Sequence, residues 1–327
     1  MPAPLLLFSA ALAAAASFAA APPTPCAAPA LAPGAQHAAA NTAALQASID
    51  SCGRTRDGGV VLVPAGTFSV GCLQLRSQVE LRLGVTYSSA ATLLASTNRS
   101  LYSRGCAALL SSSSSGGRRL HNVSLSGVGV IDGTAASAAQ DARGGLLIKL
   151  VHLSNITGLR LEAVTVRNSP SWHVHLCGCD DVIVTGVNIW GPEERGETDG
   201  LDLDTCHRVY VSRVDIGTGD DAIAIKSSGA GATSDVLIEH ATLRRKEMAF
   251  GSSANCRNVT IRHQQWAIGS LRRRLVYFVR KITNEVYFKR RLNDSIYRPR
   301  LSGTAPSAGA STSSSTAMRS RAPARRC

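Results

Sequence analysis

Residues 182 to 216 read VIVTGVNIWGPEERGETDGLDLDTCHRVYVSRVDI. From Val182, apolar residues recur at offsets of 2, 5 and 7 (Val184, Val187, Ile189), and the same spacing restarts at Val209 with Val211, Val214 and Ile216. It is found again at Val123, Leu125, Val128, Val130, at Leu159, Leu161, Val164, Val166, and at Val236, Ile238, Ala241, Leu243. The last four starts are 23, 27 and 27 residues apart. Each unit is followed by a further alternation: His173 to Leu176, Leu201 to Leu203, Ala222 to Ile225. A period of two marks strands whose side chains point alternately to opposite faces. Strands repeating at this interval read as a solenoid whose coils share one core. The expected fold is all-β, a right-handed parallel β-helix; a sandwich or barrel would turn at shorter spacing and would not keep one pattern.

Outward from these coils, Val60 to Val63 and Leu73 to Leu75 are further strand-like runs, and NTAALQASIDSC from Asn41 has the spacing of one short helix placed to cap the solenoid. Residues 22 to 40 are a Pro- and Ala-rich linker. Residues 1 to 21 pass from Leu5-Leu6-Leu7-Phe8 into alanines, as a secretory signal does, and imply an extracellular protein. On the other side a sixth copy starts at Val259 and Ile261, then places Gln264 and Trp266 where apolar residues belong. The β-helical domain is therefore expected over residues 41 to 268. Residues 269 to 327 are expected to be a basic, partly low-complexity tail, disordered from 302, with the last coils of the solenoid incomplete.

The formal charge of +13 on 327 residues is unevenly placed. From residue 240 onward there are 19 Lys and Arg against 3 Asp and Glu, whereas the first 239 residues hold 16 against 19. The repeats are thus mildly acidic, and no aromatic-interleaved or zinc-finger pattern accompanies the basic end, so nucleic acid is not the expected partner. No stretch approaches the ~20 apolar residues of a membrane span. Nine cysteines suit an oxidising compartment, and Cys177, Cys179 and Cys206 fall on neighbouring coils, placed to pair for stability. Cys177 and Cys179 lack a second close pair at zinc-ligand spacing, so no metal site is expected. Sequons at Asn98, Asn122, Asn155, Asn258 and Asn293 are compatible with secretion.

The carboxylates Asp199, Asp220 and Asp221 stand immediately before two of the alternations, Leu201/Leu203 and Ile223/Ile225. Stacking Leu201 on Ile223 and Leu203 on Ile225 keeps apolar side chains on one face and sets Asp199 beside Asp221. Carboxylates one strand spacing apart, about 4.8 Å, disfavour joint ionisation, so one can hold a proton while others act as bases. That division suits glycoside hydrolysis. Residue types alone allow a calcium site or solvated turns equally well.

Glu197-Thr198-Asp199-Gly200-Leu201-Asp202 and Gly219-Asp220-Asp221-Ala222-Ile223-Ala224-Ile225-Lys226 resemble two ordered motifs of glycoside hydrolase family 28, the polygalacturonases and their relatives. Gly127 to Gly133 and Asn168 to His173 resemble segments that members carry upstream, and the likeness covers residues 41 to 260. The resemblance implies a secreted, cell-wall-directed monomer. It would hydrolyse α-1,4-galacturonosidic bonds of pectic polysaccharide without a cofactor. Asp220 would be the general acid, and Asp199 and Asp221 would activate water for a single inverting displacement. Lys226, His173 and Lys246 are the expected substrate contacts.

The sequence departs from the family at three places: Glu197 stands for an asparagine, Lys246 for the histidine of a Gly-His-Gly motif, and no Arg-Ile-Lys motif follows. A pectic-polymer-binding relative without turnover is the alternative reading, and a calcium-dependent lyase on the same fold a third.

Overall fold

The structure, a computed structural model, describes residues 24 to 266 apart from 104, 113 to 117, 135, 138 to 146, 229 to 230, 247 and 251 to 254. It also describes the backbone of the strand Val286–Lys289. The expected signal segment, the Asn293 sequon, Arg272 to Arg274 and the Ser- and Arg-rich end lie outside the described residues.

Successive coils each lay one short strand in each of three parallel sheets, of nine, eight and seven strands. The registers stack like on like. In the first sheet Val123, Leu159, Val182, Val209, Val236 and Val259 follow one another. In the second the row is Ile131, Val166, Ile189, Ile216 and Leu243. In the third it is Val151, Val174, Leu201, Ile223 and Met248. All of these side chains are buried in one continuous core, and each contributes roughly 1.5–3 kcal/mol through removal from water. The all-β parallel solenoid expected from the repeats is the fold observed.

Corners between the first and second sheets are made by one residue in the left-handed region: Ala163, Gly186, Arg213, His240 and His263 occupy it on successive coils. For alanine, arginine or histidine this conformation costs about 1 kcal/mol or more, which the stacked strands on either side offset. The coil of Leu120–Ser126 and Val130–Asp132 turns differently. Val128 and Val130 are expected to point inward, yet Val166 pairs with Ile131, and Val128 and Val130 are only half-buried. The corner there holds one residue more. Gly127 adopts φ 98°, and Gly129, whose carbonyl accepts the Thr165 N–H, takes the place that Val164 has on the next coil. A Cβ on Gly129 would lie 2.4 Å from Ala91 O, so only glycine fits.

The helix expected from Asn41 spans Ala38–Gly53 and packs Leu45, Ile49 and Cys52 on the N-terminal end of the core. Buried Asn41 ties it down by donating to Ala32 O at 2.8 Å and Ser69 O at 3.2 Å. Disulfides Cys26–Cys52 and Cys72–Cys106 fasten the same end. Cys179 and Cys206, placed by sequence to pair, are buried free thiols instead. At the far end Gln264 enters where an apolar residue is expected, and its amide donates to Ile238 O and Arg262 O. The coil still reaches the second sheet, where Gln265–Trp266 pairs with Thr242–Leu243; among the described residues it has no strand in the third. Strand pairing also continues beyond Gly269: Val286–Lys289 lies beside Val259–Arg262, a short alternation that the surrounding basic sequence obscures. No helix among the described residues is long and apolar enough to cross a membrane.

The longer corner gives a direct test of register. Ile131→Ala is expected to cost about 2–4 kcal/mol and Val130→Ala less than about 1 kcal/mol, measured as shifts in the urea unfolding midpoint.

Candidate active site

The third sheet positions the carboxylates. Leu201–Asp204 pairs with Ile223–Lys226 in the register Leu201↔Ile223, Leu203↔Ile225, and the Gly200 N–H donates to Asp221 O at 2.8 Å. Asp199 and Asp221 therefore end neighbouring strands side by side, with Asp220 one residue earlier. Gly200 has to be small: a Cβ there would meet Ala222 O at 2.4 Å and Ile216 Cγ2 at 2.6 Å.

Asp220 is half-buried and held by backbone donors. Its Oδ1 accepts the Asp221 N–H at 2.9 Å and its Oδ2 the Glu197 N–H at 3.1 Å. The loop 191 to 198 closes over it. Gly219 faces Arg195 O and Pro192 O so closely that a Cβ would lie 2.0 and 2.6 Å from them, and Thr198 Oγ1 donates to Arg195 O. Arg245 clamps the other end of this loop, donating to Gly191 O at 2.6 Å. Glu197, at φ 56°, turns its N–H toward Asp220 while its own side chain is exposed.

Asp199 is 4% exposed, and its Oδ2 accepts Lys226 Nζ at 2.6 Å. The same ammonium lies 2.5 Å from Asp202 Oδ1 and 3.5 Å from the centre of the Trp172 ring. Lys226, expected as a substrate contact, thus has its charge engaged inside the site. It does not pair with Asp204, its stacked neighbour, whose carboxylate accepts the Ser228 N–H and Oγ–H and the Thr205 hydroxyl. Burial alone would raise the pKa of Asp204, but donors from His175, Ser228 and Thr205 hold it below the ordinary carboxylate value.

His173, expected on the substrate face, is fully buried. Its ring nitrogens lie 3.1 Å from Asp199 O and Trp190 O, and a Cβ on Gly191 would touch the ring at 2.8 Å. It supports the Asp199 main chain from beneath. Burial pushes its pKa down to about 4, against the pull of the surrounding carbonyls. Lys246 is exposed, and the register Ile223↔Met248 carries it alongside Asp221; Glu247 and residues 251 to 254 lie outside the described residues.

Sequence reasoning singled out His175 and quoted Asp202 within a motif, but did not assemble the outward row His152, His175, Asp202. The two imidazoles stack at 4.7 Å, and Lys149 Nζ approaches His175 Nδ1 at 2.7 Å. Burial lowers His152 to about 3 and Lys149 to about 8. The signal was available: the outward positions between Val151/Leu153, Val174/Leu176 and Leu201/Leu203 carry His, His and Asp on consecutive coils. Among the described residues one group offers ligand atoms within 4.8 Å of one another, His175, Cys177 and Asp204. Cys177 is disulfide-bonded and Asp204 already accepts three donors, so the group falls short of a coordination set.

A parallel β-helix that gathers carboxylates from adjacent coils at one sheet edge has the layout of a glycoside hydrolase. The model of the Glycosyl hydrolases family 28 matches residues 52 to 262, and the chain belongs to that family. A probable polygalacturonase of Vitis vinifera is 31% identical over 205 residues, which are 57% of this chain and 41% of the relative. A polygalacturonase of Nicotiana tabacum is 26% identical over 190 residues, 56% of this chain and 44% of that one. The chain spans less than half the length of these two relatives. Among solved structures, the polygalacturonase from Erwinia carotovora ssp. carotovora superposes with a TM-score of 0.61 at 22% identity, covering 76% of this chain and 70% of that chain; at that identity the likeness speaks for the fold.

Two stability measurements follow from this geometry. Glu197→Asn keeps the backbone donor to Asp220 and suits the left-handed conformation better, so a gain of about 0.5–1 kcal/mol is expected in chemical unfolding. For His173 the folded pKa lies below the unfolded value of about 6.5, so only the unfolded chain binds a proton between pH 6.5 and 4. Stability is then complete above pH 6.5 and falls by about 1 kcal/mol per pH unit toward pH 4, with His152 adding a similar slope over a range reaching about pH 3. A His173 or His152 imidazole that titrates near pH 6.5 in the folded protein, followed by NMR, would contradict its assignment.

Proposed function

We propose that this protein hydrolyses α-1,4-galacturonosidic bonds of pectic polysaccharide, with Asp220 protonating the leaving oxygen and Asp199 and Asp221 activating the attacking water. The observation that supports this reading is the placement of the three aspartates at the head of neighbouring strands of the third sheet, with Asp220 held by two backbone N–H groups. An acid on one side and water-activating carboxylates on the other give single displacement with inversion at the anomeric carbon. Family membership supports the substrate class. No cofactor enters the scheme, and the substrate would be met outside the cell.

Lys246 favours a second reading. Extending the Ile223↔Met248 register by two residues would put it beside Asp221, where the family motif has histidine, and an exposed ammonium can hold a uronate carboxylate but cannot relay protons near neutral pH as imidazole does. On that reading the groove binds the polymer without turning it over.

Incubation with polygalacturonate at mildly acidic pH separates the two. Hydrolysis is expected to release reducing ends that appear first as the β-anomer by NMR, and Asp220→Asn is expected to lower turnover about a thousandfold or more. Folded protein that binds oligogalacturonate without releasing reducing ends, and loses that binding in Lys246→Ala, would establish the binder.

A further inference from the structure

Lys226 is shared between two carboxyl groups, and only one of them belongs to the three carboxylates already assigned. Asp202 follows Asp199 by three residues and faces outward from the third sheet between His175 and Ala224. It is 0% exposed. Among the described residues, its carboxyl has no polar partner besides the Lys226 ammonium at 2.5 Å and Asp199. The Trp172 ring covers that ammonium.

The charges around Asp202 do not balance if every acid is ionised. From the strand Lys149–Ser154 come Lys149 and His152, from Val174–Cys177 comes His175, from the segment 199 to 204 come Asp199 and Asp204, and from Ile223–Lys226 comes Lys226. Lys149 is turned to His175 Nδ1, and Asp204 is satisfied by Ser228 and Thr205. Among the described residues Lys226 is the ammonium in ion-pair contact with Asp199 and Asp202, whose carboxyls are almost wholly buried. Two anions there would carry a large desolvation penalty, and a proton on one of them removes it. Burial first, and the Asp199 charge second, push the Asp202 pKa well above its ordinary value, with Lys226 opposing them. A neutral Asp202 carries an O–H, and the two carboxyls are neighbours on one ammonium, Lys226 Nζ lying 2.6 Å from Asp199 Oδ2 and 2.5 Å from Asp202 Oδ1.

We propose that Asp202 and Lys226 form a positioning pair for Asp199. The carboxylic O–H of Asp202 and the ammonium of Lys226 grip one edge of the Asp199 carboxylate and aim its other edge at the groove. The proposal rests on the water-activating role given to Asp199 above. It assigns work to two residues outside the three carboxyls named above. Raising the pH until Asp202 ionises would replace an O–H donor by a like charge beside Asp199, so the pair also sets the alkaline limb of activity.

The test compares kinetics and titration of Asp202→Asn, Asp202→Ala and Lys226→Met. Asparagine keeps an uncharged donor of the same shape, so Asp202→Asn is expected to retain kcat within about threefold while its alkaline limb moves to higher pH. Asp202→Ala and Lys226→Met are expected to lose about a hundredfold in kcat with little change in KM, as a misaimed base does. Equal losses in the asparagine and alanine variants, or an unmoved alkaline limb, would overturn the proposal.

Carboxyl 13C NMR of aspartate-labelled protein supplies a readout independent of turnover. One resonance is expected to stay protonated where ordinary aspartates are already ionised, and to vanish in Asp202→Asn. Its absence from the folded wild type overturns the proposal even if the alanine variant fails to fold. Its presence in a protein without turnover would support the charge arrangement and count against the hydrolase reading instead.

Discussion

Main-chain hydrogen bonding between parallel strands fixes the height of one coil above the next at about 4.8 Å, and every other property of the molecule is built on that spacing. It makes like residues stack on like, so the core is a set of aliphatic columns rather than a three-dimensional puzzle. It also makes the ends of neighbouring strands neighbours in space. Asp199 and Asp221, separated by a full coil in sequence, become adjacent because Leu201 stacks on Ile223. Charges brought this close by an apolar register have to be compensated locally, and Lys226, Trp172 and two backbone N–H groups do so.

Much of this was legible in the sequence because a period of two and a coil length of 23 to 27 residues leave few alternatives. The strand partners of Leu201, Leu203, Met248 and Phe250 follow from keeping apolar residues on one face, and the structure has those pairs. What escaped lies where the pattern is silent. The extra residue between Leu125 and Ile131 shifts the inward position by one, because glycines at 127 and 129 fit a wider corner without changing composition. Strand Val286–Lys289 is too short to stand out from basic surroundings.

The interior of the site was less legible than its position. Side-chain alternation says that Asp202, Asp204 and Lys226 leave the core, but not where a long flexible side chain ends. Lys226 bypasses Asp204, its partner by register, and reaches Asp199 and Asp202. The difference is one of competition: Asp204 is already saturated by Ser228 and Thr205 donors from the following turn. His173 likewise reads as a groove residue by register, yet it is drawn under the Asp199 main chain because Gly191 leaves room for its ring.

The widened corner at Gly127 to Gly129 shows how such a molecule can diversify. The additional residue is taken up within a single corner, and the coils on both sides keep their pairing in the first and second sheets. Length variation is thereby insulated from the edge that carries Asp199, Asp220 and Asp221, which lies on a different sheet and on later coils. A solenoid of this kind accumulates insertions at its corners as a text accumulates footnotes, leaving the line that carries the chemistry unaltered.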